Sequence, residues 1–205
     1  MIKLKEIKKM ENEFEYYFIG RANNPQHPLL TEDSDCPPYS WEKSRIENPS
    51  QMSYRLGKPV PRKPKMVDYH SAPESVISKK IFDVLDNMNV KGIQLIPAII
   101  RGKNDEIYKD YWYIHIINHY SVIDKENSEC EWNTLGKIRA LDKLVLDEEK
   151  LKAIPLDERL IFRMPEYRVK AFFHKSVVDA IMATNPEGVA FYNVKEWQEG
   201  QQFDN

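Results

Sequence analysis

Glycine is scarce in this chain. Seven glycines are scattered over 205 residues without clustering, so no glycine-rich loop is available to cradle phosphate through bare backbone amides. The G-x-S-x-G of a nucleophile elbow and the C-x-x-C pairs of zinc and redox sites are missing too. Cysteine is limited to Cys36 and Cys130, too few for a disulfide framework. They read as two free thiols in a reducing compartment, with a single bridge between them as the alternative. No apolar run approaches membrane-spanning length. Glutamates interrupt the basic start MIKLKEIKKMENEFEYY before an apolar signal core can form. The expected location is cytoplasmic. A formal net charge of −2 gives no global pull towards nucleic acid or acidic membranes.

What is present is ordinary for a globular chain: 41% hydrophobic and 30% charged residues, enough for a sizeable core. Proline is unevenly placed. Eight of the thirteen fall between Pro25 and Pro64, which predicts loops, short edge strands and extended pieces there. One strand, Glu13 to Ile19, precedes them. The basic run Lys58 to Lys65 reads as a solvated linker rather than a nucleic-acid arm. Residues 1–66 are therefore expected to pack as an extended, Pro-rich segment on a main domain of residues 67–205.

Beyond His70 the pattern becomes regular. Ser71 to Glu74 has capping-box spacing, and Ile77, Ile81, Val84, Leu85 and Met88 recur at helical spacing, predicting a helix over 74–88. Ile93 to Ile100 reads as a buried strand, and Gly102 to Asp105 as a turn into a second strand, Tyr108 to Ile123. Further strands are expected at Ile138 to Leu146, Leu160 to Arg163 and Val189 to Val194, with a helix at Ser176 to Ala183. SKKIFDVLDNMNVKGIQLIP from Ser78 aligns without gaps on HKSVVDAIMATNPEGVAFYN from His174, so a duplicated helix–turn–strand unit is expected. The fold class is α+β: one mixed, largely antiparallel sheet covered on one side by two amphipathic helices.

His115 and His119 form an H-x-x-x-H pair, which binds zinc when it lies on a helix. Here β-branched and aromatic residues alternate around it, favouring strand. On a strand the two would stand roughly 13 Å apart, too far for one ion with bonds of roughly 2 Å. They read as semi-exposed strand histidines opposite Trp112, Ile114 and Ile116, and no metal or cofactor is expected. A hydrolase or modifying enzyme using Cys130 with His115 or His119 stays open as the alternative, because nucleophile and base meet in space rather than in sequence.

The remaining signal is charge. Asp124, Glu126, Glu129 and Glu131 surround Lys125; Asp147, Glu148 and Glu149 form a second acidic group; and Glu32, Asp33 and Asp35 a third. Such loops are solvated surface or a rim that steers a basic partner. Tyr108, Tyr111, Trp132 and Trp197 are the candidate anchors.

The order of segments carries a resemblance. Val76-Ile77-Ser78, Leu95-Ile96-Pro97, Tyr111-Trp112-Tyr113 running to Asp124-Lys125-Glu126-Asn127-Ser128, Leu144 to Leu151, Ile161-Phe162-Arg163 and Gly188-Val189-Ala190-Phe191 follow one another. Over residues 67–194 this resembles an immunity-protein family of bacterial polymorphic toxin systems, with a myxobacterial prototype. The resemblance implies a cytoplasmic, non-enzymatic antitoxin. It would bind and block a cognate toxin C-terminal domain encoded nearby, with no membrane or nucleic-acid partner. It carries no catalytic residues onto this chain.

Overall fold

The computed structural model describes residues 13–39 and 42–197. The basic start, residues 1–12, and the tail, 198–205, lie outside the described residues. In chain order the elements are β1 (Tyr16–Arg21), β2 (Leu30–Glu32), β3 (Met52–Leu56), β4 (Tyr69–His70) and β5 (Val76–Ser78). Helix α1 (Lys79–Asn87), β6 (Ile93–Arg101) and β7 (Ile107–Ile116) follow. Then come β8 (Glu129–Trp132), β9 (Ile138–Lys143) and the short α2 (Glu148–Lys152). β10 (Ile161–Met164), β11 (Tyr167–His174), α3 (Lys175–Met182) and β12 (Val189–Asn193) come last.

The class is α+β and the pairing mostly antiparallel, but the strands form two main sheets and a hairpin instead of one sheet. The β6–β7 hairpin runs from Ile93 opposite Ile116 to Arg101 opposite Ile107. β3 already occupies the outer side of β6 and β5 that of β7, giving the order β2-β3-β6-β7-β5-β4. With both edges of the hairpin taken, β12 cannot join it. It pairs with β1 instead, in a second sheet ordered β10-β11-β1-β12. Pro97, which has no N–H to donate, sits just before the register where β3 begins to pair with β6, at Met52 opposite Ala98.

The predicted start of the first helix moves. Val76 and Ile77 pair as strand with Tyr113 and Trp112, so Ser78, not Ser71, is the helix N-cap. Strand β7 stops at Ile116 because its partner begins at Ile93. Beyond that point the amides of Ile117 and Asn118 donate to the Gly92 carbonyl. The chain then crosses to the other sheet, where His119 bridges to Arg163.

Three apolar clusters fill the interior. In the central one, Ile81 and Leu85 of α1 and Val177, Val178 and Ile181 of α3 meet Ile114 and Ile116 of one sheet and Ile19, Ala171 and Phe173 of the other. A second lies on the far face of the four-stranded sheet. There Phe18, Phe162 and Phe172 pack with Leu141 of β9, Leu151 of α2 and Trp197. The third covers the far face of the six-stranded sheet, where Ile96, Ala98, Ile100 and Tyr113 meet Cys36, Tyr39 and Ile46 of the Pro-rich segment. That segment is a lid on the sheet's second face, so the sheet is covered on both sides, not one. Gln94 fastens it by exchanging two hydrogen bonds with the Ile46 backbone, each 3.0 Å.

Arg159 is 1% exposed. Its guanidinium donates to the Ile154 carbonyl (2.9 Å), the Glu13 carbonyl (2.9 Å), the Tyr16 hydroxyl (2.7 Å) and the Glu13 carboxylate (2.9 Å). It therefore ties the approach to β1 to the loop before β10.

Both long helices end alike. Asn89 and Asn185 adopt φ of 48° and 49°, and Gly92 and Gly188 φ of 73° and 78°, before the next strand begins. An added methyl at Gly92 would meet the Asn118 amide at 1.9 Å, and at Gly188 the Val67 side chain at 2.6 Å. Gly92→Ala and Gly188→Ala should each cost about 1–3 kcal/mol, checked by urea unfolding. Of the two, Gly188→Ala should cost more, because Val67 is buried and cannot swing aside.

His70 is buried, and its Nδ1 donates to the Pro28 carbonyl at 3.0 Å. Burial pushes its pKa down from 6.5 to about 4. The unfolded chain then takes up a proton that the folded chain refuses, so this stability is present above pH 6.5 and lost as pH falls towards 4. In denaturant unfolding, the advantage of the wild type over His70→Gln should narrow by about 3 kcal/mol between neutral pH and about pH 4.

Candidate functional site

The histidine pair is not on one strand face. His115 lies in β7, 2% exposed, with its Nε2 donating to the Ser44 carbonyl of the Pro-rich lid at 2.8 Å. The expectation of semi-exposure fails because that lid covers the strand. His119 lies past the end of β7, with its Nδ1 donating to the Ile117 carbonyl at 2.9 Å. Burial, with Arg168 and Arg163 nearby, holds its pKa below the usual imidazole value. Among the described residues no group of three or more His, Cys, Asp or Glu is placed to hold a metal ion.

Cys130 pairs with Leu141 in the β8–β9 hairpin and is partly packed against the second apolar cluster. Burial raises its thiol pKa, opposed by a hydrogen bond with Trp132 and by Lys125. No imidazole contributes. A nucleophilic cysteine needs a lowered pKa and a base at hand, and burial moves this thiol the other way. Cys36 is likewise free and raised by burial.

The acidic and aromatic residues separate into distinct roles. Tyr111 is only 8% exposed and donates to the Val67 carbonyl at 3.0 Å. Trp197 packs edge-on against Phe18, with centroids 5.4 Å apart. Both are core residues, hidden by segments whose packing cannot be read from local pattern. Tyr108 is half-buried, with its hydroxyl donating to Glu106 at 2.7 Å.

Asp33 and Asp35 are paired with Arg101 at 2.7 and 3.1 Å, which uses up most of the third acidic group. In the second, Asp147 caps α2 by accepting from the Lys150 amide at 3.1 Å and pairs with the Lys150 ammonium at 2.9 Å. Glu148 faces Lys195 at 3.7 Å, and Glu149 pairs with Lys152 at 2.5 Å.

The first acidic group stays on the surface. Asp124 shapes its turn by accepting from the amides of Glu126 (3.0 Å) and Asn127 (3.1 Å). That turn sits beside the start of α2, since the Asp124 amide donates to Val145 and the Asp147 amide to Val122. Glu126, Glu129 and Glu131 are exposed, with no ion pair among the described residues. The hairpin moderates the acidity expected here, because exposed Arg139 and Lys143 lie on β9 and Lys143 stands opposite Glu129.

At the hairpin turn every residue from 131 to 137 is exposed. Asn133 organises it, accepting from the amides of Leu135 and Lys137 at 2.9 Å each, and Gly136 supplies φ of 67°. Trp132 is 36% exposed with Lys125 over its ring at 4.9 Å, and Leu135 is 80% exposed. Leu135 escaped the sequence reading. Its signal is an apolar residue inside an Asn-x-x-Gly turn, between two short strands.

Residues 10–196 match the immunity protein family Imm11, and the chain belongs to that family. The match takes in the Pro-rich segment that a resemblance over 67–194 leaves out, consistent with β1 and β3 being built into the two sheets. No curated protein matches the chain. Among the described residues no helix is long and apolar enough to cross a membrane.

Cys130→Ala should shift unfolding free energy by less than about 1 kcal/mol, and Cys130 should react with a thiol reagent at neutral pH more slowly than free cysteine. Fast reaction at neutral pH would revive a nucleophilic role.

Proposed function

We propose that this protein is an immunity protein that neutralises a cognate toxin domain by binding it, and that the β8–β9 hairpin leads the contact. Family membership over residues 10–196 carries the first half of this reading. The exposed pair Trp132 and Leu135 supports the second, since tryptophan is among the residue types enriched at interface hot spots and Leu135 adds exposed apolar surface beside it. Around them, Glu126, Glu129, Glu131 and the Asp124 turn form a charged rim, with Asp147 and Glu148 alongside at the start of α2. Such rims set orientation and association rate more than affinity. Tyr108 is a more distant member of the proposed set.

On this reading the partner is a toxin C-terminal domain encoded nearby, met in the cytoplasm, and no substrate is transformed. We also read the two helix–turn–strand units as one duplicated structural unit. Matching i,i+4 pairs, Lys79 with Asp83 and Lys175 with Asp179, support it.

Co-expression with the neighbouring toxin gene should restore growth, and the two proteins should co-purify. Trp132→Ala combined with Leu135→Ala should weaken the complex by about 100-fold, or about 2–3 kcal/mol, without lowering the thermal midpoint of the free protein. Protection without any complex would overturn the binding mechanism. An intact complex with the double variant would move the contact elsewhere.

A further inference from the structure

A cleft of about 710 Å³ opens between the four-stranded sheet and the segment leading from β4 to β5. Its size is that of a small-molecule site, but its walls are charged. Arg21 at the end of β1, Arg163 in β10 and Arg168 in β11 line it, faced by a single carboxylate, Glu74. Lys170 is also at the margin, but its ammonium lies 5.9 and 5.6 Å over the rings of Phe18 and Trp197. It is therefore engaged with the sheet's other face.

The three guanidiniums are under-neutralised. Arg163 reaches Glu74 at 3.3 Å, longer than the roughly 2.7–2.9 Å of a strong charge-assisted bond. Its Nε is shut off from solvent and has no hydrogen-bond partner. Among the described residues the side chains of Arg21 and Arg168 have neither an ion pair nor a hydrogen bond. Burial raises the pKa of Glu74, against the pull of Arg163. Gathering like charges without neutralisation costs stability. Guanidinium forks match the planar oxygens of carboxylate and phosphate.

We infer that this cleft is an oxyanion-binding site of the protein, taking a ligand with two or more phosphate or carboxylate groups between Arg21, Arg163 and Arg168. The chemistry is the same for a free multivalent anion and for an acidic chain segment inserted from a partner. The inference does not depend on the hairpin contact proposed above.

The full-length protein should be titrated calorimetrically at low ionic strength, once with inorganic pyrophosphate and once with a hexaglutamate peptide. Saturable binding of one or both is expected. Arg168→Gln and Arg21→Gln should each weaken it by about tenfold while leaving the unliganded thermal midpoint unchanged or raised. Glu74→Gln should strengthen it, because the competing carboxylate is removed; this variant separates a true anion site from general surface attraction. Pyrophosphate binding alone identifies a free anion as ligand, and peptide binding alone a partner segment. Binding of neither probe, or binding indifferent to all three substitutions, would overturn the inference.

Discussion

Each main sheet in this protein is apolar on both faces, and that requirement organises everything else. The two long helices lie between the sheets and satisfy one face of each. The outward faces need covers of their own. The Pro-rich segment supplies one, over Ile96, Ala98, Ile100 and Tyr113. The β8–β9 hairpin with α2 supplies the other, over Phe18, Phe162 and Phe172. A segment rich in proline suits the first task, since it can lie flat on a sheet without asking for ladder hydrogen bonds. The same demand explains why His115, Tyr111 and Trp197 are buried, although their own neighbourhoods read as surface.

Charge is then distributed on what the covers leave exposed. The hairpin shows a turn with two apolar side chains among mixed charges. The cleft by β4 and β5 concentrates guanidinium groups against one carboxylate. A protein of nearly zero net charge thus carries two chemically distinct faces, and neither is visible in the total. Pairing also removes charge from view. Asp33 and Asp35, which look like free surface acid in the sequence, are clamped by Arg101 from 66 or more positions away.

Much of the fold was legible. The β6–β7 hairpin, both long helices and β12 follow from local periodicity, and the paired Asn and Gly positions after each helix follow from an ungapped internal alignment. The candidate site was legible only in part. Glu126, Glu129, Glu131 and Trp132 are exposed as the pattern implies, whereas Tyr111 and Trp197 are not, because burial there is decided by distant segments. Six strands, β2, β3, β4, β5, β8 and β11, failed to announce themselves for physical reasons. β2, β3, β4, β5 and β8 are too short to show a period, and β11, with Arg168 and Lys170 in YRVKAFFH, alternates only at one end. The division into two sheets was out of reach, since it turns on which edges of β6 and β7 are already taken.

The position of β1 has a consequence for synthesis. It is the first strand among the described residues, yet it lies between β11 and β12, pairing Phe18 with Phe172 on one side and with Tyr192 on the other. Arg159 holds its approach from a comparable sequence distance. Until β11 and β12 have been made, that strand lacks both of these partners, and non-local pairing of this kind closes slowly. A nascent or prematurely terminated chain would leave an aromatic edge open, so the four-stranded sheet is complete only after translation has passed β12.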